Sequence, residues 1–233
     1  MTPTPLKNLL EERLAVVETR LQNACLRAGR RRDQVTLVAV TKTVSSEVAA
    51  LLPELGVFDL GENRPQELWR KAATLPKEVR WHLIGHLQRN KIEMTLPLVH
   101  RIHSVDSLRL LDALESAAAK QQRTLPILLE INASGEASKQ GLASAEMSVL
   151  LPRLKELRNV QVTGLMTMAA FVENPEDCRS TFATLRWLRD RLRQETSSIT
   201  DLSMGMSNDF EIAIEEGATL VRLGSVLFEG IDA

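Results

Sequence analysis

Short apolar runs recur along the chain and are separated by amphipathic segments. The first run, residues 35–40, is rich in β-branched residues, and similar runs return at 57–60, 79–84, 101–105, 127–132, 160–166, 201–204 and 219–223. These runs are apolar throughout instead of alternating with polar residues, which is typical of parallel strands covered on both faces. The pattern predicts eight buried strands.

Segments with helical spacing lie between the runs. Apolar residues three and four apart predict an opening helix over 6–28, and later helical segments cover 45–55, 65–74, 88–95, 107–121, 143–157, 175–194 and 209–216. Strands that alternate with helices form parallel strand–helix–strand units. Eight such units in 233 residues predict an α/β fold, a single (β/α)8 TIM barrel with an extra N-terminal helix.

An open, doubly wound sheet is the alternative architecture. Such a sheet usually carries a glycine-rich fingerprint after its first strand, whereas the first run here is followed by Thr41-Lys42-Thr43. No internal repeat, low-complexity tract or long linker divides the sequence. We therefore favour the barrel, as one domain over residues 1–233.

Composition and charge narrow the classes of function. Hydrophobic residues make up 44% of the chain and charged residues 25%, as in ordinary globular proteins. The net charge of -1 provides no field that would recruit nucleic acid or an anionic membrane. The sequence has no apolar stretch long enough to span a bilayer and no secretory signal. We expect a cytoplasmic protein without nucleic-acid or membrane partners, and a monomer, because no unusual apolar surface demands a dimer.

The cysteine content excludes two further classes. Cys25 and Cys178 are the only cysteines, lie far apart and belong to no CxxC pattern. A disulfide scaffold and a four-cysteine zinc site are therefore ruled out.

Polar and glycine-rich features follow nearly every predicted strand. In a (β/α)8 barrel these positions meet at the carboxyl-terminal rim, where the chemistry of such barrels is found. The features are Lys42, Gly61-Glu62-Asn63, Gly85-His86, Ser104 with Asp106, Asn132, Met166-Thr167, Gly205-Met206-Ser207 and Arg222-Leu223-Gly224-Ser225. A shared site at this rim is the simplest interpretation.

Lys42 is the central candidate in this site. It follows the apolar run at 35–40, so we expect it to emerge from a desolvated barrel wall. Desolvation disfavours an ammonium group and lowers the pKa of a lysine. A free amine can then attack a carbonyl and form a Schiff base.

The loops after the last two strands predict a phosphate site. Gly205 permits close backbone approach, Ser207 offers a hydroxyl, Asp209 is a candidate helix N-cap, and a second glycine–serine loop contains Gly224 and Ser225. Phosphates in such barrels are often held by the loops after strands seven and eight. Together with Lys42, these loops predict a ligand that carries a carbonyl group and a phosphate. Pyridoxal 5'-phosphate and a phosphosugar both fit that description.

Arg222 discriminates only weakly between these two ligands. A guanidinium donates hydrogen bonds and has no acceptor, so opposite a pyridine nitrogen it would keep that nitrogen unprotonated. An unprotonated ring is a poor electron sink, which weakens carbanion chemistry.

These segments, taken together, resemble the pyridoxal phosphate homeostasis protein family. The resemblance extends in order from about residue 35 to residue 228 and is carried by 39–42 (AVTK), 58–63 (FDLGEN), 81–91 (WHLIGHLQRNK), 164–166 (GLM), 204–207 (MGMS) and 221–225 (VRLGS). It implies an alanine racemase-like barrel standing alone that binds pyridoxal 5'-phosphate through an internal aldimine. It also implies that the protein stores, buffers or delivers this cofactor with little or no catalysis, with other B6 vitamers and apo-enzymes as further partners.

The resemblance assigns roles to individual residues. Lys42 would form the aldimine and Arg222 would face the pyridine nitrogen. The phosphate would be held by Ser207, Gly224 and Ser225, and the pocket would be lined by Asn63 and Met166. Lys139 matches a loop lysine of the family, with no role assigned.

The sequence departs from the family in two places. Val44 stands where some relatives have a second lysine, two positions after the aldimine lysine. The end of the chain beyond Phe228 lacks the usual Phe-Gly pair, so we assign it no role.

A pyridoxal phosphate-dependent racemase or decarboxylase is the principal alternative. Racemisation needs a base on each face of the cofactor, and the chain contains no tyrosine to oppose Lys42. No sequence is left for the second domain of alanine racemase, although His86 could serve as a base.

Three other functions remain open. A Schiff-base aldolase for a phosphosugar shares the lysine and phosphate layout, and an interaction module with a regulatory ligand would bind the same cofactor. The spacings of His82 with His86 and of His100 with His103 would suit zinc binding from a helix. A metal hydrolase is nevertheless disfavoured because His82 lies on a predicted strand, where residues four apart are separated by more than about 10 Å. We therefore expect no metal site.

Overall fold

Eight parallel strands close into a barrel in the computed structural model, which describes residues 5–133, 141–143 and 147–231. Each strand pairs with the next, and the last pairs with the first. The strands are β1 Thr36–Val40, β2 Asp59–Glu62, β3 Arg80–Leu83, β4 Val99–Val105, β5 Leu125–Glu130, β6 Val160–Met166, β7 Asp201–Ser203 and β8 Leu220–Leu223. Their apolar runs are buried between the barrel interior and the surrounding helices, as the uniform patterning predicts.

Helices connect and surround the strands. They are α1 Pro5–Arg27, α2 Ser46–Ala49, α3 Leu51–Glu54, α4 Pro65–Ala72, α5 Ile92–Thr95, α6 Leu108–Lys120, α7 Met147–Glu156, α8 Arg179–Glu195, α9 Phe210–Glu215 and α10 Ser225–Phe228. The predicted (β/α)8 barrel and its additional N-terminal helix are confirmed. Within the described ranges, no helix is long and apolar enough to cross a bilayer.

Apart from the segment expected over 88–95, which is a 3-10 turn at Arg89–Lys91 followed by the four-residue α5, the helices have two main differences from prediction. The single helix expected over 45–55 is divided into α2 and α3. Pro53 explains the break, because its ring has no N–H and would clash with the carbonyl of Ala49 in a continuous helix. The second difference is α10, which the sequence pattern suggested only as a glycine–serine loop.

Helix α1 packs against the part of the barrel that carries the predicted phosphate loops. Its buried side chains Leu10, Val17 and Leu21 join the core. Arg20 forms a two-pronged ion pair with Glu211 of α9, with a closest separation of 2.9 Å. Arg13 Nη1 donates to the Leu227 carbonyl of α10 at 2.8 Å. The additional helix therefore supports the two elements that follow β7 and β8.

Candidate functional site

A cavity of about 570 Å³ opens at the carboxyl-terminal rim of the barrel. Six of the seven predicted site residues line it: Lys42, Asn63, Ser207, Arg222, Gly224 and Ser225. Residues separated by up to 183 positions in sequence therefore meet in one concave site, as the rim argument predicts.

Lys42 stands on a firmly held backbone at the end of β1. The Thr41 N–H donates to the Gly61 carbonyl at 2.9 Å, and the Thr41 hydroxyl donates to Glu62 Oε1 at 2.7 Å. Lys71 Nζ donates to both the Thr41 carbonyl and Glu62 Oε1, each at 2.6 Å. The side chain of Lys42 itself is exposed. The predicted desolvation is therefore wrong for this structure, because the residue lies beyond the end of the strand, where the barrel wall no longer covers it.

The loop after β7 and the start of α10 form the predicted phosphate side of the cavity. The backbone N–H groups of Gly224 and Val226 both donate to Ser207 Oγ at 3.3 Å. The serine oxygen thus accepts from both N–H groups, and Ser207, Gly224 and Ser225 all line the cavity. The α9 N-cap position of Asp209 is as predicted, but its side chain accepts from the Met206 N–H at 2.6 Å instead of from a helical N–H.

At two positions near the cavity, only glycine leaves enough space for the neighbouring residues. Gly205 has φ +94°, and a Cβ there would lie 2.6 Å from the Cβ of Ala213. A Cβ on Gly85 would lie 2.2 Å from both the backbone oxygen and Oδ1 of Asn63. A larger residue at position 85 would therefore displace Asn63 from the cavity wall.

Arg222 is held rigidly at the side of the cavity. Its Nη1 donates to Ser203 Oγ at 2.6 Å, and its Nη2 donates to the Thr167 carbonyl at 2.9 Å. Burial lowers the pKa of Arg222 to about 10, while Asp209 and Glu130 act in the opposite direction. The guanidinium therefore stays charged at neutral pH, with further N–H groups available to a ligand.

The other candidate residues fall elsewhere. Met166 is fully buried at the end of β6, paired with Ser203 and Glu130, and is absent from the described cavity wall. His86 is exposed and its Nδ1 lies 3.1 Å from Asp106 Oδ2. Lys139 lies outside the described residues.

The paired histidine spacings do not converge on a metal site. His82 Nε2 lies 2.9 Å from Asp59 Oδ1, whereas His86 pairs with Asp106. No group of three histidine, cysteine or acidic side chains in the described parts of the chain could hold a metal ion.

Sequence reasoning missed several members of the site. The cavity wall also contains the apolar side chains Met168 and Phe171, and it extends beyond Phe228 to Ile231, a segment to which the sequence assigns no role. Glu130 is not in the cavity wall, but it interacts electrostatically with Arg222 and is not predicted from the sequence. It is buried at the end of β5, and burial, reinforced by Asp106, raises its pKa to about 7. A glutamate inside an apolar run was the available signal for it.

Known proteins resemble the chain over nearly its full length. The family model of the alanine racemase N-terminal domain matches residues 17–231. A protein of Aquifex aeolicus named pyridoxal phosphate homeostasis protein is 44% identical over 219 residues, covering 93% of this chain and 96% of that one. The structure of PipY from Synechococcus elongatus with PLP bound has a TM-score of 0.81 at 33% identity, covering 94% of this chain and 99% of PipY.

An alanine racemase of Clostridium difficile shares the fold alone. It has a TM-score of 0.78 at 16% identity and covers 95% of this chain but 56% of the racemase.

Proposed function

The chain belongs to the pyridoxal phosphate homeostasis protein family, and on that premise we propose that it binds pyridoxal 5'-phosphate in the rim cavity. Its function would be to store, buffer or deliver this cofactor with little or no turnover of its own. The observation that carries the proposal is the meeting of the Lys42 amine, the buried Arg222 guanidinium and the Ser207 hydroxyl in one cavity.

The residues present fit the chemistry of this ligand. The Lys42 amine would condense with the aldehyde and release water, and its exposure leaves it accessible to both capture and exchange. Ser207, Gly224 and Ser225 would hold the phosphate, and Arg222 would donate a hydrogen bond to the ring nitrogen. Asn63, seated against Gly85, would contact the ring. Once bound, the pyridoxal ring supplies an electron sink for bonds to an attached amine.

The cavity favours holding over catalysis. The described lining residues include no histidine and no tyrosine, and its ionisable members are Lys42, Asp209, Arg222 and Glu229. Asp209 is engaged by the Met206 N–H, and burial raises its pKa. A charged Arg222 would keep the ring nitrogen unprotonated and so limit carbanion chemistry. A protein that binds the cofactor and exchanges it with amines needs no histidine or tyrosine side chain in the cavity.

Absorption spectroscopy of the purified protein tests the covalent link. Protein loaded with pyridoxal 5'-phosphate should be yellow, with a near-visible band that borohydride reduction removes while adding the mass of the reduced cofactor to the Lys42 peptide. Lys42→Ala should abolish the band. Lys155→Ala is the matched control, because Lys155 is an exposed lysine paired with Glu195 on the outer helices. A band retained in Lys42→Ala, or mass on another lysine, would refute the assignment.

Transfer to an apo-enzyme tests the delivery role separately. Loaded protein mixed with an apo-enzyme should activate it faster than free cofactor does in the presence of a scavenger. If the loaded protein activates the apo-enzyme no faster than free cofactor does with the scavenger present, the storage role would stand but the delivery role would be refuted.

We also propose that the carrier is a monomer of 26.0 kDa. Light scattering of the loaded protein would check this mass.

A further inference from the structure

A series of buried polar side chains, linked by hydrogen bonds, crosses the inside of the barrel and ends at Arg222. We call this series the relay. Asp59 Oδ1 lies 2.9 Å from His82 Nε2, and His82 Nδ1 lies 2.9 Å from His103 Nε2. His103 Nδ1 lies 2.9 Å from Ser203 Oγ, which accepts from Arg222 Nη1 at 2.6 Å. Because β4 and β7 are not neighbours in the sheet, the contact between His103 and Ser203 can only span the interior.

The relay begins at the carboxylate of Asp59. Although burial acts to raise the pKa of Asp59, hydrogen bonds from Arg80 and His82 outweigh it and hold the pKa well below its usual range. A carboxylate only accepts hydrogen bonds, so His82 must carry its proton on Nε2. The other end is a guanidinium, which only donates.

One arrangement of protons satisfies every member between these ends. His82 Nε2–H donates to Asp59, and His103 Nε2–H donates to the free Nδ1 of His82. The Ser203 hydroxyl donates to the free Nδ1 of His103, and Arg222 donates to the oxygen of Ser203. Both histidines are then neutral and share the same tautomer, and every ring nitrogen and the hydroxyl between Asp59 and Arg222 has a partner.

Protonating either histidine would break this arrangement. An added proton on His82 Nδ1 would have to donate to His103, whose own Nδ1–H would then point at Ser203 and leave the serine proton without its acceptor. Burial lowers the pKa of His82 and lowers that of His103 much further. The facing cations Arg80, Arg101 and Arg222 also disfavour a second charge, and only Asp59 favours one.

We propose that His82, His103 and Ser203 are positioning residues that orient the Arg222 guanidinium toward a ring nitrogen bound in the cavity. The Ser203 hydroxyl and the Thr167 carbonyl fix the guanidinium plane at two points, so its remaining donors keep one direction. Because the Ser203 hydroxyl donates its proton to His103 Nδ1, its oxygen is always oriented to accept from Arg222. This proposal rests on the proposed function for the identity of the ligand.

Nitrogen NMR of the unloaded protein tests the relay without any ligand. Histidine labelled with 15N should show His82 and His103 as neutral rings protonated on Nε2, and both should stay neutral when the pH is lowered to about 5.5, below the usual histidine pKa of about 6.5. A proton on Nδ1 of either ring, or charging of both rings by that pH, would overturn the proposal. His103→Gln and His82→Gln assign the two signals.

Ligand affinity tests the positioning role. The probes are pyridoxal 5'-phosphate and its analogue in which a C–H group replaces the ring nitrogen. Ser203→Ala should weaken binding of the nitrogen-containing ligand by roughly tenfold while changing the analogue's affinity by less than about twofold. The matched control is Ser104→Ala, which removes another buried hydroxyl at a strand end, one bonded to the Gly85 carbonyl. It should leave the preference between the two ligands unchanged.

The outcomes separate the two proposals. Equal weakening of both ligands in Ser203→Ala would show a merely structural serine and overturn the positioning role. Failure of the wild type to bind either ligand would refute the proposed function, while the NMR result would still decide whether the relay exists. If Ser203→Ala does not fold, Ser203→Thr retains the hydroxyl and should keep the ligand preference. A lost preference in folded Ser203→Thr would contradict the proposal.

Discussion

Two buried polar networks lie on the two sides of the cavity, and they hold different kinds of group. Under Lys42, the Glu62–Lys71 ion pair is fully buried and fixes the backbone of Thr41, while the Lys42 side chain remains exposed. Under Arg222, the relay that begins at Asp59 ends at the Ser203 hydroxyl, which accepts from the Arg222 side chain itself. An exposed amine on a hydrogen-bonded backbone would suit reversible capture, whereas a buried guanidinium bonded at two points would suit recognition.

The networks also differ in charge. The pair beneath Lys42 places opposite charges 2.6 Å apart, whereas the relay separates its carboxylate and guanidinium by neutral rings and a hydroxyl. Removing one partner of a compact buried pair leaves an uncompensated charge. Removing one link of the relay leaves only a polar group without a partner, which costs less.

The largest expected effect comes from breaking the compact pair. Lys71→Met should lower the free energy of unfolding by about 3–5 kcal/mol, because Glu62 would be left buried without its cation. Denaturant unfolding measures the change. Adding Glu62→Gln should recover much of the loss, and Lys155→Met, at an exposed ion pair, should have little effect. A loss below about 1 kcal/mol in Lys71→Met would show that the buried Glu62–Lys71 pair contributes little to the stability of the fold.

The relay predicts a pH dependence of stability. His82 and His103 have folded-state pKa values below those of unfolded histidine, so the stability they contribute is complete above about pH 6.5 and declines as the pH falls below it. Glu130 acts in the opposite sense, since its folded pKa of about 7 exceeds its unfolded value and its contribution declines as the pH rises toward 7. Urea midpoints between about pH 5 and pH 7 measure the net slope.

Variants separate these opposing contributions. His103→Gln should flatten the rise of stability with pH, and Glu130→Gln should make it steeper. His86→Gln is the control, because that ring is exposed. An unchanged slope in His103→Gln would argue that the histidine is not buried and neutral.

The smallest expected effect is at His86. This residue pairs with Asp106 and is absent from the described cavity wall, so His86→Gln should change affinity for pyridoxal 5'-phosphate by less than about twofold. Titration of the near-visible band provides the measurement. Slow loss of amino-acid optical activity that disappears in His86→Gln would instead support the racemase alternative.

The rim of the barrel was largely predictable because its residues follow strands that are recognisable one at a time. Lys42, Asn63 and Arg222 each lie at or just beyond a strand end, and parallel strands bring such positions to one edge. Met166 also ends a strand, yet its side chain is buried away from the cavity wall. Adjacent residues on a strand point to opposite faces, and a uniformly apolar run gives no sign of which face a residue occupies.

What the sequence alone determined is the barrel, its opening helix and the edge that carries the site, because these follow from local periodicity and from the strand–helix alternation. Only the tertiary structure decided which polar groups pair. The links from His82 to His103 and from His103 to Ser203 join residues 21 and 100 positions apart. Such pairings depend on barrel closure and on the direction of each side chain, neither of which local patterning encodes. For the same reason, the exposure of Lys42 is decided by the tertiary structure, because it depends on where the wall of the closed barrel ends.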